Sequence, residues 1–217
     1  MAIINKIDKE LILLPPKTGT VSVESIFKTK QGKFEPYSRR TCDHIHMYLQ
    51  ESIDFYSIDD IENWKIYQTA RNPFNRALSG FLHARRIHPP LRDMTFESFL
   101  ISLKEHINLL PNSEPQFIRE VLQYDGIVPE KSSRGARFFV SQVSWSSSNC
   151  TYIKLENGIS DELNQLSDGL NLPELPHRNR SRFTSSKEEM YTEQAKDIVR
   201  ELYENDFSTI GYSTEWV

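Results

Sequence analysis

Leu11-Ile12-Leu13-Leu14-Pro15-Pro16-Lys17-Thr18-Gly19-Thr20 is an apolar run that stops at two prolines and gives way to a short polar loop. The run is short and ends on prolines, which favours a buried strand over a helix. Val21, Val23, Ile26 and Phe27 follow at a spacing that suggests a helix with one buried side. A strand, a glycine-containing loop and a helix in that order aim successive backbone N–H groups at one point, where the helix start adds roughly half a positive charge. Lys17 contributes a full charge, and Thr18 and Thr20 contribute hydroxyl donors, so the stretch predicts an anion cradle. A Walker A loop would place its lysine after the second glycine of G-x-x-x-x-G-K-[ST]. Here Lys17 precedes Gly19 and no glycine lies upstream, so the nucleoside-triphosphate pattern is absent.

The same order recurs further along. Trp64 to Ala70 reads as a second strand, Arg71-Asn72-Pro73 as its exit, and Phe74, Ala77, Leu78 and Phe81 as the apolar stripe of the next helix. Arg71 then stands at the carboxyl end of a strand, where open α/β sheets bind ligands. Ser79 lies seven residues beyond Asn72, two turns along one helix face. A guanidinium fork and a hydroxyl so placed suit a phosphate. A helix is expected from Asp43, with Thr41 or Asp43 as cap and Ile45, Tyr48 and Leu49 on one side. Others are expected over Thr95 to Leu103, after the Ser113 and Gln116 capping box, and from Ser160 through Leu163, Leu166 and Leu170. A third strand fits Tyr152 to Leu155. The last helix is expected to open with Ser185 and Glu188 and to bury Ala195, Ile198, Val199, Leu202 and Tyr203. Strands alternating with helices predict an α/β fold, a single domain over residues 1–217 with a mainly parallel sheet flanked by helices.

Taken together, Pro-Lys-Thr-Gly-Thr at 16–20 and Arg-Asn-Pro-Phe-x-Arg-x-x-Ser-Gly at 71–80 resemble the sulfotransferases that use 3′-phosphoadenosine-5′-phosphosulfate (PAPS). The likeness is strongest to the carbohydrate sulfotransferases and their bacterial relatives. It extends to Tyr152-Ile153-Lys154-Leu155-Glu156-Asn157, to Leu175-Pro176-His177-Arg178-Asn179-Arg180-Ser181, and to Tyr203-Glu204-Asn205-Asp206-Phe207 with Gly211-Tyr212. The resemblance implies a P-loop-like sulfotransferase fold. It implies that Pro16, Lys17, Thr18, Gly19, Thr20 and Val21 bind the 5′-phosphosulfate, while Arg71 and Ser79 bind the 3′-phosphate. PAPS would be the donor, 3′-phosphoadenosine-5′-phosphate the product, and no metal is called for. Glu156, Asp206 and Tyr212 are read as structural anchors, and His177 as a positioning residue.

In such a transfer Lys17 would stabilise the bridging oxygen as its bond to sulfur breaks. The acceptor hydroxyl needs a base. His44 is the first choice, with His46 and Glu24 as alternatives; on one helix the two histidines, two residues apart, would point in different directions. Tyr37, Arg39, Arg40, His83, Arg85, Arg86 and the segment 141–148 are candidates to line the cleft for a polar acceptor, a small molecule or glycan. Rival readings are a non-catalytic module for nucleotide or sulfated glycan, and a P-loop kinase, which the lysine position and the missing acidic strand end disfavour.

Composition bounds the reading. Hydrophobic residues make up 38% and charged residues 26% of 217 residues, as in soluble globular proteins. A formal net charge of −4 argues against general nucleic-acid binding, which needs a concentrated cationic excess. No apolar run approaches the ~20 residues that cross a bilayer. Lys6, Asp8, Lys9 and Glu10 interrupt the place of a signal peptide's apolar stretch. Cys42 and Cys150 form no metal-binding spacing, and a cytoplasmic location with reduced thiols is expected.

Overall fold

The computed structural model describes residues 2–29, 35–36, 46–87, 91–108, 138–166, 172 and 186–216. In chain order its elements are β1 (Ala2–Asn5), β2 (Glu10–Leu13), α1 (Thr20–Thr29), β3 (Glu35–Pro36), α2 (Leu49–Tyr56), β4 (Lys65–Ala70), α3 (Pro73–Ile87), α4 (Phe96–Asn108), β5 (Cys150–Lys154), α5 (Ile159–Leu166), α6 (Lys187–Met190), α7 (Glu193–Leu202) and α8 (Glu204–Ile210). The chain forms two compact units, Met1–Asn72 with Gln142–Arg180, and Pro73–Ser141 with Ser181–Val217.

The first unit holds the sheet, in the order β3-β1-β2-β4-β5. β2, β4 and β5 run parallel, with Leu13 opposite Gln68 and Ala70 opposite Lys154. β1 and β3 add antiparallel pairings, so the sheet is mixed rather than mainly parallel. The antiparallel part starts from a hairpin that the sequence reading missed, because Ala2-Ile3-Ile4 is short and a charged stretch follows it. Asn5 closes that turn. Its Oδ1 accepts the Ile7 and Asp8 amides at 3.1 Å, and its Nδ2 donates to Asp8 at 2.9 Å and to Glu10 at 3.1 Å.

Every residue of β1 and β2 is buried, as expected where both faces of a sheet are covered. Ile3, Ile4, Leu11 and Leu13 share a core with Val23 and Phe27 of α1 and with Ile159 and Leu163 of α5. At about 25 cal/mol per Å² of apolar surface removed from water, such side chains contribute roughly 1.5–3 kcal/mol each. α2 begins at Leu49, later than expected. Tyr48 is extended (φ −72°, ψ 168°), its N–H donates to Glu51 Oε2 at 2.8 Å, and its ring stacks on buried Trp145 at 4.0 Å. Residues 41–45 lie outside the described residues.

The second unit is helical and aromatic. Phe81 packs on Phe96 and Phe99 at 5.3 and 5.1 Å, and Phe99 on Phe139 at 4.9 Å. Arg76 is buried and its Nη1 donates to Val140 O at 2.8 Å. Asp206, fully buried, accepts from Ser141 Oγ at 2.6 Å, the anchoring role expected of it. The Tyr203 hydroxyl donates to Phe139 O; burial drives its phenol above the usual range, Arg76 opposes the shift and Asp206 adds to it. The expected last helix is split. Ser186, not Ser185, caps α6 with Glu189, and Thr192 caps α7 by accepting the Ala195 amide at 3.1 Å. Between them Tyr191 is extended so that its hydroxyl reaches Phe74 O at 2.7 Å.

Candidate functional site

Three parallel strands deliver their carboxyl ends to one rim of the first unit. β2 opens into Leu14 to Gly19, β4 into Arg71 and Asn72, and β5 into the turn Leu155–Asn157. Ligands of open α/β sheets bind at such a rim.

The loop after β2 carries two left-handed residues, a feature it shares with backbone anion nests. Lys17 and Gly19 take left-handed φ values of +71° and +83°, and the residues around them do not. Alternation of that kind turns successive N–H groups toward one concavity, and the first turn of α1 adds amides with no intrahelical acceptor. Gly19 is required twice over: by its φ, and because a Cβ would stand 3.1 Å from Leu155 Cδ1 and 3.4 Å from Ile159 Cδ1. Exposure alternates too: Pro16, Thr18 and Thr20 are buried, Lys17 and Gly19 half-exposed, Val21 exposed. The hydroxyls of Thr18 and Thr20, expected as donors to the anion, instead donate to Pro15 O at 2.8 and 2.9 Å. Thr69 Oγ1 lies 2.6 Å from Thr18 Oγ1, and because the Thr18 proton is on Pro15 O, Thr69 is the donor of that pair. These hydroxyls thus bond within the loop and to β4.

The exit from β4 is built differently. Beyond Ala70 the β5 ladder ends, and a side chain replaces it. Gln142, fully buried, accepts the Arg71 N–H with Oε1 at 2.8 Å and donates to the Arg71 carbonyl with Nε2 at 2.9 Å. Gln68 Nε2 in turn donates to Gln142 O at 2.8 Å. So held, Arg71 extends Nη1 to the Lys17 carbonyl at 3.3 Å. Glu156 is exposed and accepts the Asn72 N–H at 2.9 Å, in keeping with a structural role. Ser79 lies on α3 in the second unit, half-buried.

His46 is brought to the loop. Its Nδ1 is 3.0 Å from Leu14 O, and its ring meets Trp145 edge-on with centroids 6.3 Å apart. A carbonyl can only accept, so Nδ1 carries the proton and Nε2 is the basic nitrogen. The expectation that His46 turns away on a helix fails, because residues 46–48 are not helical. His44 lies outside the described residues, as do Tyr37, Arg39, Arg40 and the stretch 175–181. Glu24 is buried on α1. On α3, Arg86 Nη2 donates to His83 Nδ1 at 3.3 Å and Arg85 Nε to Arg92 O at 2.9 Å. Gln142 fell within the segment marked as possible acceptor cleft; no local pattern announces a side-chain amide that pairs with a backbone 71 residues away.

Among the described residues no group of three or more His, Cys, Asp or Glu is arranged to hold a metal, and no helix is long and apolar enough to cross a membrane. No family model, curated protein or solved structure matches the chain.

Proposed function

We propose that the chain is a sulfotransferase that moves a sulfuryl group from PAPS to an acceptor hydroxyl, of a carbohydrate or related polar molecule. What supports this most is the meeting of Arg71 with Lys17. Two residues 54 apart in sequence, each from one of the two motifs, join at the ends of neighbouring parallel strands. In this reading the loop amides and Lys17 take the 5′-phosphosulfate, and Arg71 takes the 3′-phosphate. As the acceptor oxygen bonds to sulfur, the bond from sulfur to the bridging oxygen breaks, and the Lys17 ammonium faces the charge that grows on that oxygen. His46 Nε2 takes the acceptor proton, with Nδ1–H on Leu14 O fixing the ring. The nest holds whatever anion enters by backbone geometry, so orientation precedes chemistry.

The test is ligand linkage. 3′-Phosphoadenosine-5′-phosphate at about 100 times its Kd should stabilise the fold by about 2.7 kcal/mol, read as a rise in Tm. Mg²⁺-ATP stabilising as well or better would overturn the donor assignment.

A further inference from the structure

We infer that Gln142 is a positioning residue for the anion site, acting through Arg71; the inference rests on the reading of that site as a donor-phosphate pocket. A primary amide offers an acceptor and a donor side by side, as a neighbouring strand does to the residue it pairs with. The two Gln142 bonds to Arg71, 2.8 Å to N and 2.9 Å to O, therefore continue the sheet by one residue where β5 has already stopped. Gln142 is fully buried, so both bonds are shielded from competing water. Its own backbone is tied to the sheet by Gln68, also fully buried. A line of hydrogen bonds thus runs from β4 through Gln68 and Gln142 to the Arg71 backbone, and from the Arg71 guanidinium to the carbonyl of left-handed Lys17.

Such a line sets two things at once. It fixes the strand exit from which the guanidinium reaches, and it supports the backbone of the residue that carries the loop's charge. Loosening it should weaken ground-state binding of the donor more than the transfer step, because the anion that Arg71 meets is charged before and after transfer.

The experiment is a double-mutant cycle read by calorimetric binding of 3′-phosphoadenosine-5′-phosphate. Gln142→Met keeps the side-chain length and removes both bonds; affinity should fall about tenfold. In an Arg71→Ala background the same substitution should change affinity less than twofold, because its route to the ligand is gone. Donor KM should rise with kcat within about twofold. Should the methionine variant melt below the assay temperature, Gln142→Glu, which keeps the acceptor and loses the donor, is read in the same cycle. Affinity unchanged in Gln142→Met, or an equal loss in both backgrounds, would overturn the role of Gln142 while leaving the site intact. Failure of the unsubstituted protein to bind the probe would overturn the donor reading and this inference with it.

Discussion

The two turns that leave β2 and β4 have the same order of strand, polar exit and helix, yet they are built on opposite plans. The first turn, Pro15 to Thr20, directs its side-chain hydroxyls inward to Pro15 O and bends its backbone through two left-handed residues. The second keeps Arg71 out of the left-handed region and fills its backbone groups from outside, with Gln142 on Arg71 and Glu156 on Asn72. One turn offers an anion its backbone and a point charge; the other withdraws its backbone and offers a guanidinium. On the proposed reading, similar sequence grammar then yields a site of two different halves, one for charge that develops in transfer and one for charge already present.

That division is broken or sharpened first by substituting the cations. Lys17→Ala should lower the single-turnover rate at saturating donor by about 10²–10³, as loss of one transition-state donor does, with product affinity within a few-fold. Arg71→Ala should show the reverse, about 10–100-fold weaker binding with a smaller change in rate, since hydrogen bonds to charged groups are worth about 1.5–3 kcal/mol. Equal losses of rate and affinity in both variants would mean that the two turns do not divide the work.

Both turns need a firm sheet beneath them, and Cys150 at the start of β5 reports on it. Burial pushes its thiol up to about 11, with a smaller opposing effect from Ser146. Thiolate is the reactive form, so alkylation by iodoacetamide at pH 8 should be roughly a hundredfold slower than for a free cysteine, and should accelerate as pH rises toward that value. The linkage runs the same way. The folded thiol holds its proton above the ordinary value of 9.0, so its contribution is complete below that pH and is lost as pH climbs toward 11. Rapid labelling at pH 8 would mean that the strand opens and that neither turn is held as described.

Much of this was legible in the chain. Apolar runs ending at Pro15 and at Arg71 gave the two parallel strands, and helical spacing gave α1, α3 and α4, because burial periodicity is a local signal. The hairpin of β1 was hidden by its length, and the late start of α2 by Tyr48, whose ring stacks on a residue 97 positions away (145 − 48). In the site, the charges could be read and their supports could not. Lys17 and Arg71 stand out by residue type, whereas Gln142, Gln68 and the carbonyl that orients His46 act through contacts between distant segments. The same holds for Thr18 and Thr20: residue type suggested donors, and tertiary geometry turned them inward.

A smaller effect separates the turns by backbone strain. Gly19→Ala should destabilise by about 1–3 kcal/mol in urea titrations, the cost of a non-glycine residue in a left-handed conformation, increased by the approach to Leu155. Unchanged stability would mean that the loop does not depend on this geometry.

The smallest expected effect concerns two lysines. Lys9, in the β1–β2 hairpin, and Lys17 both adopt left-handed φ, +53° and +71°. Each pays a steric penalty of about 1–2 kcal/mol that glycine would avoid, partly offset by the 0.5–1 kcal/mol of extra entropy glycine loses on folding. Lys9→Gly and Lys17→Gly should therefore each stabilise by up to about 1 kcal/mol; loss of the exposed Lys9–Asp60 pair subtracts little. Activity should then part them. Lys9→Gly should leave transfer unchanged, whereas Lys17→Gly should be as slow as Lys17→Ala while melting higher. That outcome, stability gained as transfer is lost, would mean that the strain at Lys17 is kept for the proposed transfer rather than for folding. If Lys17→Gly proved less stable than the unsubstituted protein, the side chain would be supporting the loop, and the first turn would lose its claim to be shaped by backbone alone.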